Sequence, residues 1–311
     1  MEPIINIAGY HFAPLENLPE LKKKLEQLSQ ALSLKGTILI SLEGINLFVA
    51  GLRNAIGELL AEIRKIPGFS EFDIKESLSN KQPFRKMLVK IKKEIISFSV
   101  EGIHPASYSS PKITPHELRK WLDEKKPVVL LDTRNNYEIR MGTFQGAFSA
   151  DIHHFRDFPQ AVKKLPQDFK EKTIVTFCTG GIRCEKAAPF MEQEGFKNIF
   201  QLEGGILNYF KECGSLHYQG ECFVFDKRVG VDPQLHETKS ILCFQCQMPL
   251  KEEDQVHAHY QVDVSCPYCF GREKKKKAPN TRKSRRMKKE AALKEAALSS
   301  RFPGHSSQSA H

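Results

Sequence analysis

Phe177-Cys178-Thr179-Gly180-Gly181-Ile182-Arg183-Cys184 closes the apolar run Thr173 to Phe177 and precedes the amphipathic segment Glu185 to Glu194. A short β-branched and aromatic run, then two glycines, then helical spacing predicts a buried strand, a tight loop and a helix. The glycines permit close backbone turns, and successive N–H groups ahead of a helix start hold a thiolate at low pKa. Arg183 adds a permanent positive charge. Cys178 is therefore the candidate nucleophile, Arg183 its electrostatic partner or a phosphate ligand, and Cys184 a residue that resolves or tunes it. The plainer alternative is a buried cysteine in an ordinary strand-to-helix turn, with Cys184 a buried helix residue.

Outward from this loop, strands and helices alternate. A helix is expected over Pro115 to Asp123, a central parallel strand at Val128 to Leu131, and a last strand at Ile199 to Leu202 ahead of Glu203-Gly204-Gly205-Ile206. That pattern predicts an α/β domain over 115–216 with helices on both sheet faces. The front of the chain has another order: strand Ile4 to Phe12, helix Leu18 to Leu32, strands Thr37 to Ser41 and Leu47 to Ala50, helix Asn54 to Ile66, strand Phe72 to Glu76. This order fits a ferredoxin-like α+β domain over 1–100, with Leu88 to Val100 extending the sheet or bridging domains. Residues 101–114, rich in Pro and Ser, read as a linker, residues 217–271 as a small cysteine-rich module, and residues 272–311 as a basic, solvated tail.

The net charge of +10 is concentrated in that tail, which holds 13 Lys and Arg against 3 Glu and leaves 34 basic and 34 acidic residues in 1–271. Strong electrostatic attraction therefore belongs mainly to an appendage. Within the front domain, Arg85, Lys86, Lys90, Lys92 and Lys93 form a strip suited to phosphate, or simply a solvated face. Eight cysteines without a leader-like start or an apolar run of 18 residues predict a reducing, cytoplasmic setting and no membrane partner. No Rossmann glycine fingerprint or Walker A motif is present, and no two-histidine-one-carboxylate iron site stands out.

Cys243-Phe244-Gln245-Cys246 and Cys266-Pro267-Tyr268-Cys269 are two CxxC pairs 19 residues apart. Four thiolates at this spacing suit tetrahedral zinc, a structural use because no coordination position stays open. A reduced set of structural cysteines is the alternative.

Asp132-Thr133-Arg134-Asn135-Asn136-Tyr137-Glu138, the loop Cys178 to Arg183, and Leu202-Glu203-Gly204-Gly205 together resemble the rhodanese superfamily. The loop has four residues between Cys178 and Arg183, one fewer than related cysteine phosphatases use to cradle phosphate. More narrowly, Glu43-Gly44-Ile45-Asn46, the basic strand Lys90 to Ile95, the run Cys178 to Lys186 and the late cysteine pairs resemble the tRNA uridine hydroxylase family. That resemblance implies 5-hydroxyuridine formation at wobble position 34 of tRNA, with molecular oxygen as cosubstrate and an unidentified reductant or electron donor. It makes Cys178, Arg183 and Cys184 the catalytic candidates and Asp132, Arg134, Thr179, Gly180, Gly181, Glu43 and Asn46 the substrate-binding ones. Purely structural roles remain open for Asp132 and Arg134 as a buried charge network and for the Glu43–Asn46 turn. Two further readings compete: sulfur transfer through a Cys178 persulfide, and a noncatalytic RNA-binding scaffold.

Overall fold

The computed structural model describes residues 2–272; most of the expected basic tail, including the helix expected near Lys289 to Leu298, lies outside the described residues. The front domain comprises β1 (Ile4–Phe12), α1 (Leu18–Ala31), β2 (Lys35–Ser41), β3 (Gly44–Gly51), α2 (Arg53–Arg64), β4 (Ile74–Ser79) and β5 (Met87–Ile91). Its sheet has the order β4-β1-β3-β2-β5. The first four strands pair antiparallel, and β5 adds parallel to β2, so the segment after Leu88 extends the sheet as its composition allows.

β1 shows why this sheet has two different faces. Side chains alternate across a strand, so Ile5 and Ile7 enter a core shared with Leu25, Ile56, Leu59 and Ile63 of the helices. Asn6, Ala8, Tyr10 and Phe12 point the other way, where they border a cavity. Two sequence expectations shift. The last strand of the ferredoxin-like core starts at Ile74, because Phe69 and Phe72 are fully buried as a stacked plug under the sheet rather than strand residues. The second hairpin arm starts at Gly44, since the turn is confined to Leu42 and Glu43.

The second domain runs through β6 (Lys112–Ile113), α3 (Pro115–Asp123), β7 (Val128–Asp132), α4 (Asn136–Ile139), β8 (Gly142–Phe144), β9 (Phe148–Ser149), α5 (Phe158–Val162), β10 (Thr173–Phe177), α6 (Cys184–Gln193), β11 (Asn198–Leu202) and α7 (Gly205–Cys213). Its parallel sheet has the order β6-β11-β10-β7-β9, placing β10 and its C-terminal Cys178 at the centre. A core lies on each face, one with Phe155, Phe158, Ala187 and Met191, the other with Leu118, Phe177, Tyr209 and Phe210. The helix α3 occupies Pro115 to Asp123 as expected, with Pro115 in its first turn and Thr114 capping it by accepting the Glu117 amide.

The connection between the domains is ordered and packed. Phe98 is buried among Phe155, Phe158 and Phe190, with ring centroids 5.1–6.5 Å apart, so the chain enters the second core before Pro105. Lys186, the third residue of α6, is only 2% exposed at its side chain and pairs with Glu43 and Glu94 at 2.9 Å each. It also donates to the Ile96 carbonyl. After α7 the chain returns through β12 (Tyr218–Gly220), which pairs with β8, and the hairpin β13 (Cys222–Phe223) and β14 (Gly230–Val231). Arg228 then reaches Ser77 of the front sheet. Among the described residues no helix is long and apolar enough to cross a membrane.

Removing the Lys186 ammonium strands two partly buried carboxylates, a change that costs about 3–5 kcal/mol for a broken buried pair. Lys186→Met is expected to lower unfolding free energy by about 3 kcal/mol in urea titrations; a loss below about 1 kcal/mol would contradict this weight. Burial alone would raise the Glu94 carboxyl, but its bonds to Lys186 and to the Phe98 and Ser99 amides hold it below the usual range. Its contribution is therefore complete above the unfolded carboxylate pKa and is lost as pH falls through the depressed folded one.

Candidate active site

The loop Cys178 to Arg183 is bent around the sulfur. The Gly181 amide donates to Cys178 Sγ at 3.1 Å, with φ of +99° at Gly181, a region that side-chain-bearing residues rarely occupy. Behind it, the Ile206 and Leu207 amides at the start of α7 donate to the carbonyls of Cys178 and Thr179. Gly205 makes that approach possible: a Cβ there would sit 2.4 Å from the Cys178 carbonyl oxygen. The late glycine pair is thus a second wall of the thiol loop.

Burial by itself would push the Cys178 thiol up. The Cys184 S–H, the Arg183 guanidinium and the Arg183 and Gly181 amides outweigh it and pull Cys178 down to about 6. Cys184 moves the opposite way, pushed well above its ordinary range by burial and by the neighbouring Cys178 sulfur. The pair therefore divides into a thiolate and a thiol that donates to it. Arg183 is itself held by a two-pronged bond to Glu138, at 2.7 and 2.8 Å. Burial opposes the Arg183 charge, and Glu138 more than restores it. This guanidinium is thus a fixed positive wall beside the sulfur, its outer face toward the Phe225 ring at 5.6 Å.

The three catalytic candidates converge, but the substrate-binding candidates scatter. Thr179 borders the cavity and donates to Glu138, while Gly180 faces open space. Asp132 and Arg134 are fully buried and bound to each other at 2.7–3.2 Å, with Arg134 also donating to the Gly142 carbonyl. Glu43 accepts from Lys186 and from the Ile95 amide, and Asn46 donates to the Ile95 carbonyl. None of these four lines the cavity. Glu185, quoted above only as part of a run, accepts from Ser109 at 2.7 Å and Tyr10 at 3.3 Å and pairs with Lys112 at 2.9 Å. Tyr10, Lys75 and Lys112 line the same cavity from other elements, so nothing near them in the sequence marks them.

The cavity lies between the open face of the front sheet and the thiol loop, and has a volume of about 540 Å³. That is within the ordinary range for small-molecule sites, roughly 300–1,000 Å³. Phe48 and Phe225 stand on its border, 5.8 Å apart.

Farther along, β15 (Ile241–Leu242) and β16 (Pro249–Leu250) form a hairpin whose knuckle carries Cys243 and Cys246. The sulfurs of Cys243, Cys246, Cys266 and Cys269 all lie within 4.8 Å of one another, and those of Cys246 and Cys266 are 3.6 Å apart. Tetrahedral zinc with sulfur at about 2.3 Å needs sulfurs about 3.8 Å apart, so the donor set fits a metal ion of that kind.

In comparisons with known proteins, the family model described as a UPF0176 acylphosphatase-like domain matches residues 4–95, and the rhodanese-like domain model matches residues 114–212. A Cupriavidus taiwanensis protein named tRNA uridine(34) hydroxylase is 45% identical over 273 residues, covering 86% of this chain and 97% of that protein. The protein of the same name from Cupriavidus metallidurans is 45% identical over 271 residues, covering 86% and 96%. One from Burkholderia cenocepacia (strain J2315) is 44% identical over 275 residues, covering 86% and 97%.

The site predicts a measurable thiol profile. Alkylation of Cys178 by iodoacetamide, followed by peptide mass spectrometry, should rise through pH about 6 and level off above it. Cys184→Ala removes the donating S–H and should move that midpoint upward. A parental midpoint between about 8 and 9, the range of an ordinary thiol, would contradict the assignment.

Proposed function

The chain belongs to the tRNA uridine(34) hydroxylase family, and from that premise we infer that it converts the wobble uridine of tRNA to 5-hydroxyuridine with Cys178 as the nucleophile. The observation that carries this reading is the depressed Cys178 thiolate, buried in a loop whose next residue, Thr179, lines a cavity built by two domains. A uracil ring is electrophilic at C6. Addition of the thiolate there turns C5 into an electron-rich enolate carbon, the position at which an oxygen species can react, and expulsion of the thiolate then restores the ring. Molecular oxygen supplies the new oxygen atom, and a separate reductant supplies the remaining electrons.

Within this scheme Arg183 and the Gly181 amide stabilise the leaving and attacking thiolate. Asp132 and Arg134 hold the end of β7, the strand beside the one that carries the loop, and Glu43 and Asn46 hold the front domain to the segment and helix next to it. Their bonding partners favour these supporting roles over direct contact with RNA. The four-cysteine cluster holds a structural zinc, because four protein sulfurs leave no coordination position for a substrate.

With full-length unmodified tRNA, oxygen and a supplied reductant, nucleoside mass spectrometry should find 5-hydroxyuridine for the parent. Cys178→Ala and Cys178→Ser should lose roughly 100-fold or more while still binding tRNA. Near-parental product from both variants would remove the Cys178 mechanism, and an adduct-forming persulfide that transfers sulfur to an acceptor would favour sulfur transfer instead. Elemental analysis should find about one zinc per chain, and stripping it should destabilise the module; zinc-free protein with unchanged thermal unfolding would reject the structural metal.

A further inference from the structure

Lys75 sits on β4, directly across from Ala8 of β1, on the sheet face that borders the cavity. Its ammonium lies 5.3 Å from the centroid of the Tyr10 ring, and the Tyr10 hydroxyl in turn donates to Glu185. That hydroxyl also rests on the thiol loop, since a Cβ at Gly181 would be 2.7 Å from it. A short chain of contacts therefore leads from Lys75 across Tyr10 to the loop of Cys178. Tyr10 is held neutral by burial, reinforced by the charges of Glu185 and the Cys178 thiolate.

The other cations around this cavity are already engaged. Lys112 pairs with Glu185, and Arg228 with Asp226 at 2.6 Å. Lys75 has no ion pair or hydrogen bond among the described residues, only the Tyr10 ring. Burial lowers its pKa, while Asp73, the Cys178 thiolate and Glu185 favour its charge and Lys112 opposes it. A cation with no ion pair, lining a cavity that borders the thiol loop at Thr179, is suited to negative charge that appears only during a reaction, because it needs no rearrangement to meet it.

We propose that the cavity receives the uracil ring and that Lys75 meets the O4 oxygen, stabilising the enolate formed when Cys178 adds to C6. This rests on the Cys178 addition proposed above and adds the group that takes up the resulting charge. The step is balanced without any redox partner. The thiolate electron pair forms the S–C6 bond, the C5–C6 π pair moves into the C4–C5 bond, and the carbonyl π pair moves onto O4. If a solvent proton then adds at C5 and the original one leaves as the thiolate is expelled, uridine is regenerated with its C5 hydrogen exchanged.

That exchange isolates the Lys75 step from the oxygen chemistry. Full-length protein and unmodified tRNA are incubated without oxygen in deuterated buffer, and the anticodon fragment is then read by mass spectrometry. The parent should place one deuterium at C5 of uridine 34. Lys75→Met should slow this exchange by roughly 100-fold at saturating tRNA, with tRNA affinity within about threefold, and Lys75→Arg should restore most of the rate. Thermal unfolding of both variants checks that the sheet is intact.

Lys75→Met exchanging at the parental rate would overturn the proposal. So would a defect confined to tRNA affinity, which would make Lys75 a phosphate ligand, and so would a Lys75→Arg variant that folds as the parent does yet is as slow as Lys75→Met. A parent that hydroxylates but never exchanges would overturn the enolate step itself. A parent that does neither would remove the underlying hydroxylase reading, a result distinct from failure of the Lys75 assignment.

Discussion

A charge taken out of water has to be paired, and the first turn of α6 carries two such charges side by side. Glu185 and Lys186 are both buried, and neither finds its partners within the helix. Lys186 reaches Glu43 and Glu94 in and just after the front domain, and Glu185 reaches Tyr10, Ser109 and Lys112. Because breaking a buried pair costs several kcal/mol, the front sheet is held where its open face looks onto the loop that precedes the same helix. The position of Cys178 relative to the cavity follows from that requirement.

The loop chemistry and the cavity chemistry are then separable. The loop needs only local parts to make a thiolate: the Gly181 amide, the Arg183–Glu138 pair, and a Cys184 thiol that remains protonated. Such a sulfur can carry a persulfide or attack an electrophile. What faces it decides between them. Here the wall of the adjoining cavity is aromatic and cationic, with Tyr10, Phe48 and Lys75 from the front domain and Phe225 from the segment after α7, dimensions suited to a nucleobase, and no anion paired with Lys75. That surface favours a base as the electrophile over a small sulfur donor.

Most of the element order is legible in the residues because local periodicity is strong where a side is buried. The β1 alternation, the Pro115 helix start and the central Thr173–Phe177 strand all follow from short-range patterns that tertiary packing reinforces. The thiol loop and the two cysteine pairs are also local, so their residues could be named in advance. What spacing does not reveal is convergence. Tyr10, Lys75 and Lys112 come from three separate strands, and nothing near them in the chain marks them as neighbours of Cys178. Conversely, Asp132, Arg134, Glu43 and Asn46 look like site residues because they are polar and lie near turns, yet each is tied to protein partners visible only after folding, with Arg134 Nη1 alone among the Arg134 nitrogens left without one. Phe98 shows the same limit in the core, since a connecting segment became part of a second domain through one aromatic cluster.

The central claim is that Cys178 forms a bond to the uridine it modifies. Full-length tRNA carrying 5-fluorouridine at position 34 tests this most directly, because fluorine at C5 blocks the normal departure of a proton and retains the adduct. After digestion of both protein and RNA, mass spectrometry should find the nucleotide attached to the peptide containing Cys178, and not in Cys178→Ser. Attachment to a different residue, or turnover of uridine tRNA by protein that never traps the fluorinated analogue, would contradict the account.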